Sequence, residues 1–478
     1  MDTCENARVA VRTVNREQMC WRAVDVECLV GEDHAARVIW ELVGRLDLSA
    51  YYGCIAANDE EGGRPPFDPR LLISLWIYAY SVGIGSAREI ARRCEWDPAF
   101  QWLTGCEVVN YHTLSDFRVQ RQVELEELFT QVLGLLSAEG LITLEQVMQD
   151  GTKIRALASS NSFQHERGLR RHLECVREYV RGMGEAEAEE ETARVHAARQ
   201  RARRERQERL QRAVAELDRL RAQGSEVRVS VTDPQARNMK QSDGGFAPSY
   251  NVQISADAAH GAIVSVDVVQ DRNDRHQLLP ALTRIQQQLG RKPQQMVADG
   301  DYTTCANIEA MQQHGVDFVG SWRDDREDRL NADHDFVYDQ QQDCYLCPQG
   351  KQLRSNGSQI RSGVRYHYYR ARERDCRDCP QRSACCTGNS PRSVLRAETS
   401  VAVEAFRQKM ASPEAKAQYR RRSQVVEFCH AWIKSKLGLR QFHLRGMVKA
   451  KTEALWAALT YNLQLMLRSL KPQPHPLA

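Results

Sequence analysis

The sequence predicts an α/β layer fold, and three patterns in the chain predict it. Residues 250–257 and 262–270 are strand-like runs separated by a short turn at 258–261, which is the pattern of an antiparallel hairpin. Helical and strand-like segments then alternate from residue 276 to residue 320. The remainder after residue 413 is largely helical in pattern. Antiparallel strands followed by alternating helices and strands are typical of a sheet with helices packed on its faces.

The first 140 residues predict an all-helical domain. An amphipathic pattern covers residues 35–46. Helix-start signals follow it: Asp68 before Pro69, Ser86 with Glu89, and Asp97 before Pro98. Short helices joined by tight turns fit a helix-turn-helix DNA-binding unit with exposed arginines, for which we expect Arg88, Arg92, Arg93, Arg118 and Arg121. A helical docking domain that does not touch DNA is the alternative.

The segment 161–226 interrupts the strand-like pattern. A strand is predicted over residues 141–158, and leucine and valine then recur at helical spacing on both sides of a glutamate-rich block at 185–191. An arginine-rich block covers residues 199–212. These features predict an inserted antiparallel helical hairpin. Its charges favour a solvated face or a dimer contact over a clamp on DNA.

Composition bounds the class of protein. The chain has 478 residues, 42% hydrophobic and 27% charged, which is typical of soluble globular proteins. The net charge of +3 conceals an asymmetry, because residues 391–478 carry sixteen Lys or Arg against five Glu and no Asp. This excess predicts a surface that binds a polyanion. The absence of a long apolar run and of a signal-like start predicts a cytoplasmic, nucleoid-associated protein that does not interact with membranes.

Three acidic residues stand in distinctive local motifs: Asp150 before Gly151-Thr152-Lys153, Asp299 before Gly300-Asp301-Tyr302, and Glu427 in a basic helical segment. A single aspartate at the end of a strand is more often a turn former or a cap. Carboxylates from distant segments, however, suit hard divalent cations. Two such ions about 3.5–4 Å apart can stabilise both the attacking and the leaving oxygen of a phosphodiester reaction. Acids beside concentrated positive charge therefore indicate cutting or joining of nucleic-acid backbones.

These motifs, with Lys434, resemble the catalytic motifs of bacterial insertion-sequence DDE transposases. The resemblance is to the branch numbered IS eleven-eighty-two, within the broader IS-four/IS-five type. It covers the chain from about residue 20 to residue 470 and includes four further stretches: residues 64–69, 232–234, 250–253 and 442–446.

The resemblance implies an RNase H-like catalytic core in which Asp150, Asp299 and Glu427 bind two Mg²⁺ or Mn²⁺ ions. It implies cleavage at the element ends and attack of the freed 3′-hydroxyls on target DNA. The partners would be double-stranded DNA, as terminal inverted repeats and as target, and a second copy of the chain in a homodimer on DNA. Asp301 is an alternative second ligand, but the family pattern places the ligand at Asp299.

The resemblance also implies DNA contacts from Tyr419, Arg420, Arg422 and Lys434 of the third motif. One helix is predicted over residues 413–437. Because seven residues are nearly two helical turns, Arg420, Glu427 and Lys434 would line one stripe of a straight helix. Arg422 would lie off this stripe, since four residues separate it from Glu427 where the broad family pattern has three.

A cluster of cysteines predicts a metal site of a different kind. Six of the fifteen cysteines lie between Cys344 and Cys386, and such local clustering indicates metal binding rather than a disulfide framework. The family pattern implies one structural Zn²⁺ held by Cys347, Cys376, Cys379 and Cys385. Cys344 or Cys386 are alternative ligands, and a set of reduced, unliganded cysteines is the alternative to zinc.

Together these inferences divide the chain into five parts: a helical N-terminal, DNA-binding domain (1–140), an RNase H-like core (141–160 and 227–330), an inserted hairpin (161–226), a cysteine-rich zinc-binding insertion (331–390) and a basic helical part of the core (391–478). The function implied is metal-dependent DNA cleavage and strand transfer. Two alternatives are an RNase H-like nuclease without strand transfer and a non-enzymatic DNA-binding protein derived from a transposase.

Overall fold

A computed structural model describes most of the chain. The described residues are 17, 19, 23–55, 65–182, 193–224, 228–322, 336–339, 341–361, 364–386, 388–398 and 400–469. The glutamate-rich block at 185–191 and the first residue of the 64–69 stretch lie outside them.

Among the described residues before 140, seven α-helices occur, as the sequence predicts for this region. They are α1 (Ala35–Val43), α2 (Ser49–Tyr52), α3 (Pro69–Ser81), α4 (Ala87–Trp96), α5 (Pro98–Thr104), α6 (Tyr111–Gln120) and α7 (Gln122–Ala138). The predicted start signals are confirmed, since the Asp68, Ser86 and Asp97 side chains each accept a hydrogen bond from a backbone N–H of the following helix. Helix α3 is the centre of this bundle, because nearly all of its side chains are buried.

One of the arginines expected on the surface of this bundle is buried. Arg118 is only 2% exposed, because its guanidinium donates to Gly85 O at 2.7 Å and to Tyr80 Oη at 3.3 Å and stacks on Trp76. Arg93 is half-buried and forms ion pairs with two acids on its own helix and at its end. Arg88 and Arg92 remain as exposed arginines on α4.

Eight strands lie between residues 146 and 320 in the described part of the chain. They are β1 (Gln146–Arg155), β2 (Phe163–Gln164), β3 (Val229–Ser230), β4 (Arg237–Lys240), β5 (Phe246–Asp257), β6 (Ile263–Val269), β7 (Gln295–Ala298) and β8 (Asp317–Gly320). β2 and β3 form a separate pair, and the other six form one sheet in the order β4-β5-β1-β7-β8, with β6 also paired to β5. β5 runs antiparallel to β1, β4 and β6, whereas β1, β7 and β8 are parallel. The predicted hairpin of β5 and β6 is confirmed.

The inserted segment contains two helices, α8 (Glu166–Gly182) and α9 (Ala193–Ala222). They enclose a small apolar core of their own, in which Leu169 and Leu173 of α8 are buried with Leu210 and Leu217 of α9. The sheet is then covered by α10 (Leu278–Leu289) and α11 (Cys305–Gln313). These helices confirm the alternation of helix and strand that the sequence predicts.

The cysteine-rich segment is a second, smaller β-structure. Its antiparallel strands are β9 (Val337–Asp339), β10 (Cys344–Leu346), β11 (Gln352–Arg361), β12 (Val364–Ala371) and β13 (Ser393–Ala397). The short helices α12 (Glu373–Arg377) and α13 (Arg382–Cys385) lie between the last two strands. Its core contains Leu353, Tyr369 and Val394 and is separate from the main core.

The C-terminal part supplies four helices among the described residues: α14 (Val401–Ala411), α15 (Pro413–Arg420), α16 (Arg422–Ser435) and α17 (Met447–Ser469). Helix α17 joins the bundle to the sheet. Its Trp456 packs beside Trp76 of α3, and its Asn462 side chain bonds both the N–H and the C=O of Ile263 on β6. In the part of the chain that the structure describes, no helix has the length and apolar character needed to cross a bilayer.

The prediction of one continuous helix over 413–437 is wrong. The helix ends at Arg420 and a new one begins at Arg422, with Arg421 at the junction. The predicted stripe of Arg420, Glu427 and Lys434 is therefore broken, because Arg420 lies on the preceding helix.

Three of the stretches that carry the family resemblance meet in a structural cluster. Buried Asp233 accepts a hydrogen bond from Tyr250 Oη at 2.8 Å and one from the N–H of Gly446 at 3.3 Å. Buried Glu453 of α17 accepts backbone N–H groups of His443 and Leu444. These residues therefore anchor the loop between α16 and α17 against the sheet.

Candidate active site

The sheet brings two of the predicted acids together. β1 and β7 are parallel neighbours in which Gln149 is paired with Ala298, so Asp150 and Asp299 follow this pair on adjacent strands. Asp150 lies in the middle of β1 rather than at a strand end, because β1 continues to Arg155 opposite β5. Asp299 is the first residue after β7, where its carboxylate accepts the N–H of Asp301 at 2.8 Å.

The third acid, Glu427, is linked to Asp150 by the side chain of Arg422. Arg422 Nη1 lies 2.8 Å from Asp150 Oδ2, and Arg422 Nη2 lies 3.1 Å from Glu427 Oε1. One guanidinium thus bridges the first and third acids. The sequence prediction placed Arg422 off the stripe of Arg420, Glu427 and Lys434, on the assumption of one straight helix. That prediction is wrong, because the helix is interrupted at Arg421 and Arg422 begins the next helix. We refer to Asp150, Asp299 and Glu427 as the acidic centre.

Burial raises the pKa values of two acids of the acidic centre, Asp150 and Asp299. Burial raises the pKa of Asp150 to about 7, with Arg422 opposing this shift and Asp299 adding to it. The pKa of Asp299 is also raised, by burial first and then by the charge of Asp301. Two neighbouring carboxylates with raised pKa values are costly to ionise, because each is buried and each repels the other. A divalent cation stabilises the ionised form of both and takes the place of their protons.

Two further groups on α16 face the acidic centre. Lys434 Nζ donates to Thr152 Oγ1 at 2.5 Å, so this lysine lies beside the motif that follows Asp150. Burial lowers the pKa of Lys434, and the charges of Arg440 and Lys153 lower it further. A half-buried cation among other cations is well placed to bind a phosphate oxygen.

His430 is a neighbour of the acidic centre that the sequence prediction missed. It lies on α16 one turn after Glu427, is 8% exposed, and has its Nδ1 3.8 Å from Asp150 Oδ2. Burial lowers its pKa to about 3, with Lys434 and Arg422 adding to this effect, so its ring is neutral near pH 7. A single histidine in a helix gives no sequence signal, because it is indistinguishable from an ordinary core residue.

Tyr419 and Arg420 line an open groove at the end of β8. Its lining includes Trp322, Arg407, Lys416, Tyr419 and Arg420. The Arg407 guanidinium lies 4.7 Å from the centre of the Trp322 ring, and Arg422 lies 5.8 Å from the Tyr419 ring. Aromatic faces with interleaved cations suit bases and phosphates of nucleic acid.

The structure gathers the predicted zinc ligands around one small cavity. Cys347, Cys376, Cys379 and Cys385 line it together with Cys386, whereas Cys344 is buried on β10 and does not. Burial raises the pKa of Cys385 to about 11, and the neighbouring Cys386 adds to this shift. Among the described residues, no group of three or more His, Cys, Asp or Glu side chains is arranged to hold a metal ion. The thiols are therefore assembled, but their placement as four ligands of one ion is not supported.

The acidic centre offers the right donors for a different kind of ion. Its carboxylate oxygens suit Mg²⁺ or Mn²⁺, which prefer oxygen ligands and keep several waters or substrate oxygens. The Arg422 guanidinium lies between two of these carboxylates, so the three acids do not form a closed cage. Asp150, Asp299 and Glu427 are nevertheless the residues that could hold such ions here.

Two parts of the chain match known protein families. Residues 346–467 match the family described as Transposase DDE domain, and residues 24–120 match the family described as Transposase domain (DUF772). The first match includes Arg422, Glu427 and Lys434, while Asp150 and Asp299 lie outside both. No curated protein is significantly similar to the chain. One match covers most of the helical N-terminal part, and the other covers the helices that bring the third acid to Asp150. Together they indicate a transposase of the DDE type, a phosphoryl-transfer enzyme that acts on DNA.

Proposed function

We propose that this protein is the transposase of a bacterial insertion sequence of the IS eleven-eighty-two branch. It would cut phosphodiester bonds at the element ends and join the 3′-hydroxyls to target DNA. The observation that carries the proposal is the convergence of Asp150, Asp299 and Glu427 from three distant segments beside Arg422 and Lys434. Acids and cations in one place match the two needs of phosphoryl transfer, namely metal binding and charge stabilisation.

The topology of the sheet supports an RNase H-like core. In this sheet β5 is antiparallel to β1, β4 and β6, whereas β7 and β8 continue on the other side of β1 as parallel strands. In this proposal the core comprises residues 141–160, 227–330 and 391–478. The hairpin at 161–226 and the cysteine-rich part at 331–390 are insertions in it.

Asp150, Asp299 and Glu427 would hold two Mg²⁺ or Mn²⁺ ions. When bound, such ions activate the attacking oxygen and stabilise the leaving oxygen of the phosphodiester. Lys434 and Arg422 would bind phosphate oxygens of the DNA strand next to the acids. His430, which stays neutral, would add no positive charge that competes with the ions.

The DNA would also contact the groove with Tyr419 and Arg420, and the exposed Arg88 and Arg92 of α4. Arg88 stacks on Tyr111 at the start of α6, so the two helices present one surface. Double-stranded terminal repeats and target DNA would then be bound by a homodimer. A nuclease of the same fold that does not join strands is the alternative, since an acidic centre that can cut DNA need not join it.

We also propose that the cysteine-rich part binds one structural Zn²⁺ through Cys347, Cys376, Cys379 and Cys385. The gathering of these thiols around one cavity supports this. Zinc would release protons from thiols such as Cys376 and Cys385, whose pKa values burial raises. Metal analysis of the purified protein is expected to give one zinc per chain, and to give none after Cys376→Ser with Cys379→Ser. Zinc-free wild-type protein that is fully folded would contradict the site.

The function is tested with DNA that carries the sequences flanking the coding region. With Mg²⁺ or Mn²⁺, the purified protein is expected to cut at the element ends and to join the 3′-ends to a labelled target plasmid. Cutting without joined products would favour the nuclease. A gel shift with neither metal-dependent product would favour a DNA-binding protein that has lost its activity.

A further inference from the structure

The acidic centre has a fourth acid behind it, and this acid is buried. Asp274 lies in the loop between β6 and α10 and is 7% exposed. Its Oδ1 accepts hydrogen bonds from the side-chain amides of Asn251 and Gln253, each at 2.6 Å. The Lys153 ammonium lies 3.6 Å from the same oxygen. A buried carboxylate is costly unless it is hydrogen-bonded and paired, so these three partners offset the cost of burying Asp274.

The partners of Asp274 lie on β1, which carries Asp150, and on the neighbouring strand β5. In the β1–β5 register, Asn251 is opposite Lys153 and Gln253 is opposite Gly151. A Cβ atom on Gly151 would lie only 2.5 Å from Asp274 Oδ1 and 2.5 Å from Gln253 Nε2. Side chains alternate between the two faces of a strand. Asp274 therefore lies against one face of β1 at Gly151. The side chain of Asp150, the preceding residue, points to the other face of the strand.

The same contacts extend to the loop after β7, which carries Asp299. Gln253 Oε1 accepts hydrogen bonds from Gln149 Nε2 at 2.8 Å and from Tyr302 Oη. The Tyr302 N–H in turn donates to Asp299 O at 3.2 Å. The side chains of Gln149, Gln253 and Tyr302 are fully or almost fully buried. Bulk water therefore cannot replace a hydrogen bond that is lost from this network.

One buried atom in this network has no partner. Asn251 Oδ1 has no hydrogen-bond partner among the described residues, and it lies 2.9 Å from the position of a Cβ on Gly151. Such an atom costs free energy, so the amide is held in this orientation by its donations to Asp274 Oδ1 and to the backbone O of Asp271. Burial is the main cause of the raised pKa values of Asp150 and Asp299, and the charge of Asp274 adds to both. Asp274 thus lies close enough to influence both acids.

We propose that Asp274 is a positioning residue of the acidic centre. It fixes β1 at Gly151 and Lys153, and through Gln253 and Tyr302 it fixes the backbone around Asp299. This role gives a physical reason for two motifs, because Gly151 leaves room for Asp274 and the amides of Asn251 and Gln253 hold it. The inference rests on the proposed transposase function.

Asp274→Asn tests the role, because it keeps the shape of the side chain and removes its charge. The maximal rate of Mg²⁺-dependent DNA cleavage is expected to fall by about 10–100-fold, the usual loss when a group that orients a metal ligand is changed. The DNA concentration at half-maximal rate should change less than about twofold, since Asp274 does not reach the DNA. Mn²⁺ binding to the DNA-free protein, followed by electron paramagnetic resonance, should weaken by about 10–100-fold. Asp271→Asn, which removes an exposed acid of the same loop, should leave all three quantities unchanged.

Three outcomes are distinguishable. Wild-type rate and wild-type Mn²⁺ affinity in a folded Asp274→Asn protein would overturn the proposal. Equal losses in maximal rate and in the fraction of protein that binds DNA would mean a purely structural role, and would overturn it as well. If the wild-type protein does not cleave DNA, the proposed function fails, but the Mn²⁺ titration still decides whether Asp274 orients the acids.

Discussion

Asp150→Asn is expected to lower the rate of Mg²⁺-dependent DNA cleavage by at least about 10³-fold, the range seen when a principal electrostatic group is lost. Asp150 is the acid that contacts Arg422 and neighbours Asp299, so it is the one best placed to hold an ion jointly with another carboxylate. An amide cannot supply a charged ligand, although it fills the same space. Asp299→Asn and Glu427→Gln should cause similar losses. DNA affinity in Ca²⁺, measured by gel shift, should stay within about threefold of the wild type, because phosphate contacts come from other side chains.

Asp301→Asn is the matched control for Asp299. Both acids belong to the same motif, and the N–H of Asp301 donates to the Asp299 carboxylate. Asp301→Asn keeps this backbone contact, so cleavage should fall far less than in Asp299→Asn. The reverse order of losses would assign the second metal ligand to Asp301. Normal cleavage by any one of the three principal variants would remove that residue from the acidic centre.

Local signals in the sequence predicted the elements of the fold well. The Asp68–Pro69 start of α3 is read from two adjacent residues, because the cap and the fixed proline geometry act within one turn. The β5–β6 hairpin is likewise encoded by its own strands and turn. β7 lies within the stretch at 276–320 for which alternating helices and strands were predicted, since a short apolar run between a turn and an acid has few other interpretations.

Features that depend on distant partners were missed. Arg118 was expected on the surface because its spacing fits an exposed face, but Tyr80, Gly85 and the Trp76 ring enclose it. No glycine or proline marks the interruption of the helix at Arg421, so the sequence gives no local signal for it. The position of Arg422 beside Asp150 depends on that interruption. Asp274 reads as an ordinary residue of a polar loop, because its amide partners lie more than twenty residues away.

Arg422→Gln is expected to increase the affinity of the DNA-free protein for Mg²⁺ by about tenfold or more at pH 8.5. In the structure the guanidinium bridges Asp150 and Glu427, so a divalent cation that uses these carboxylates must displace it or approach a positive charge closely. The variant removes this competitor. Isothermal titration with Mg²⁺ measures the effect, and Arg421→Gln is the matched control, because Arg421 is an exposed arginine at the same helix junction.

The dependence on pH separates this explanation from a general loss of positive charge. Burial raises the pKa of Asp150 to about 7 and Arg422 opposes this rise, so the variant should have a still higher pKa at Asp150. Protons then compete with Mg²⁺ more strongly near neutral pH. The gain in affinity should therefore be small at pH 7 and grow as the pH rises, whereas Arg421→Gln should show no such trend.

Bound DNA is expected to raise the Mg²⁺ affinity of the wild type, because Arg422 cannot hold the acids and a DNA phosphate at once. It should have little effect on the Mg²⁺ affinity of Arg422→Gln, as reciprocal coupling requires. Equal Mg²⁺ affinities of wild type and folded variant at pH 8.5 would show that Arg422 does not compete with the metal.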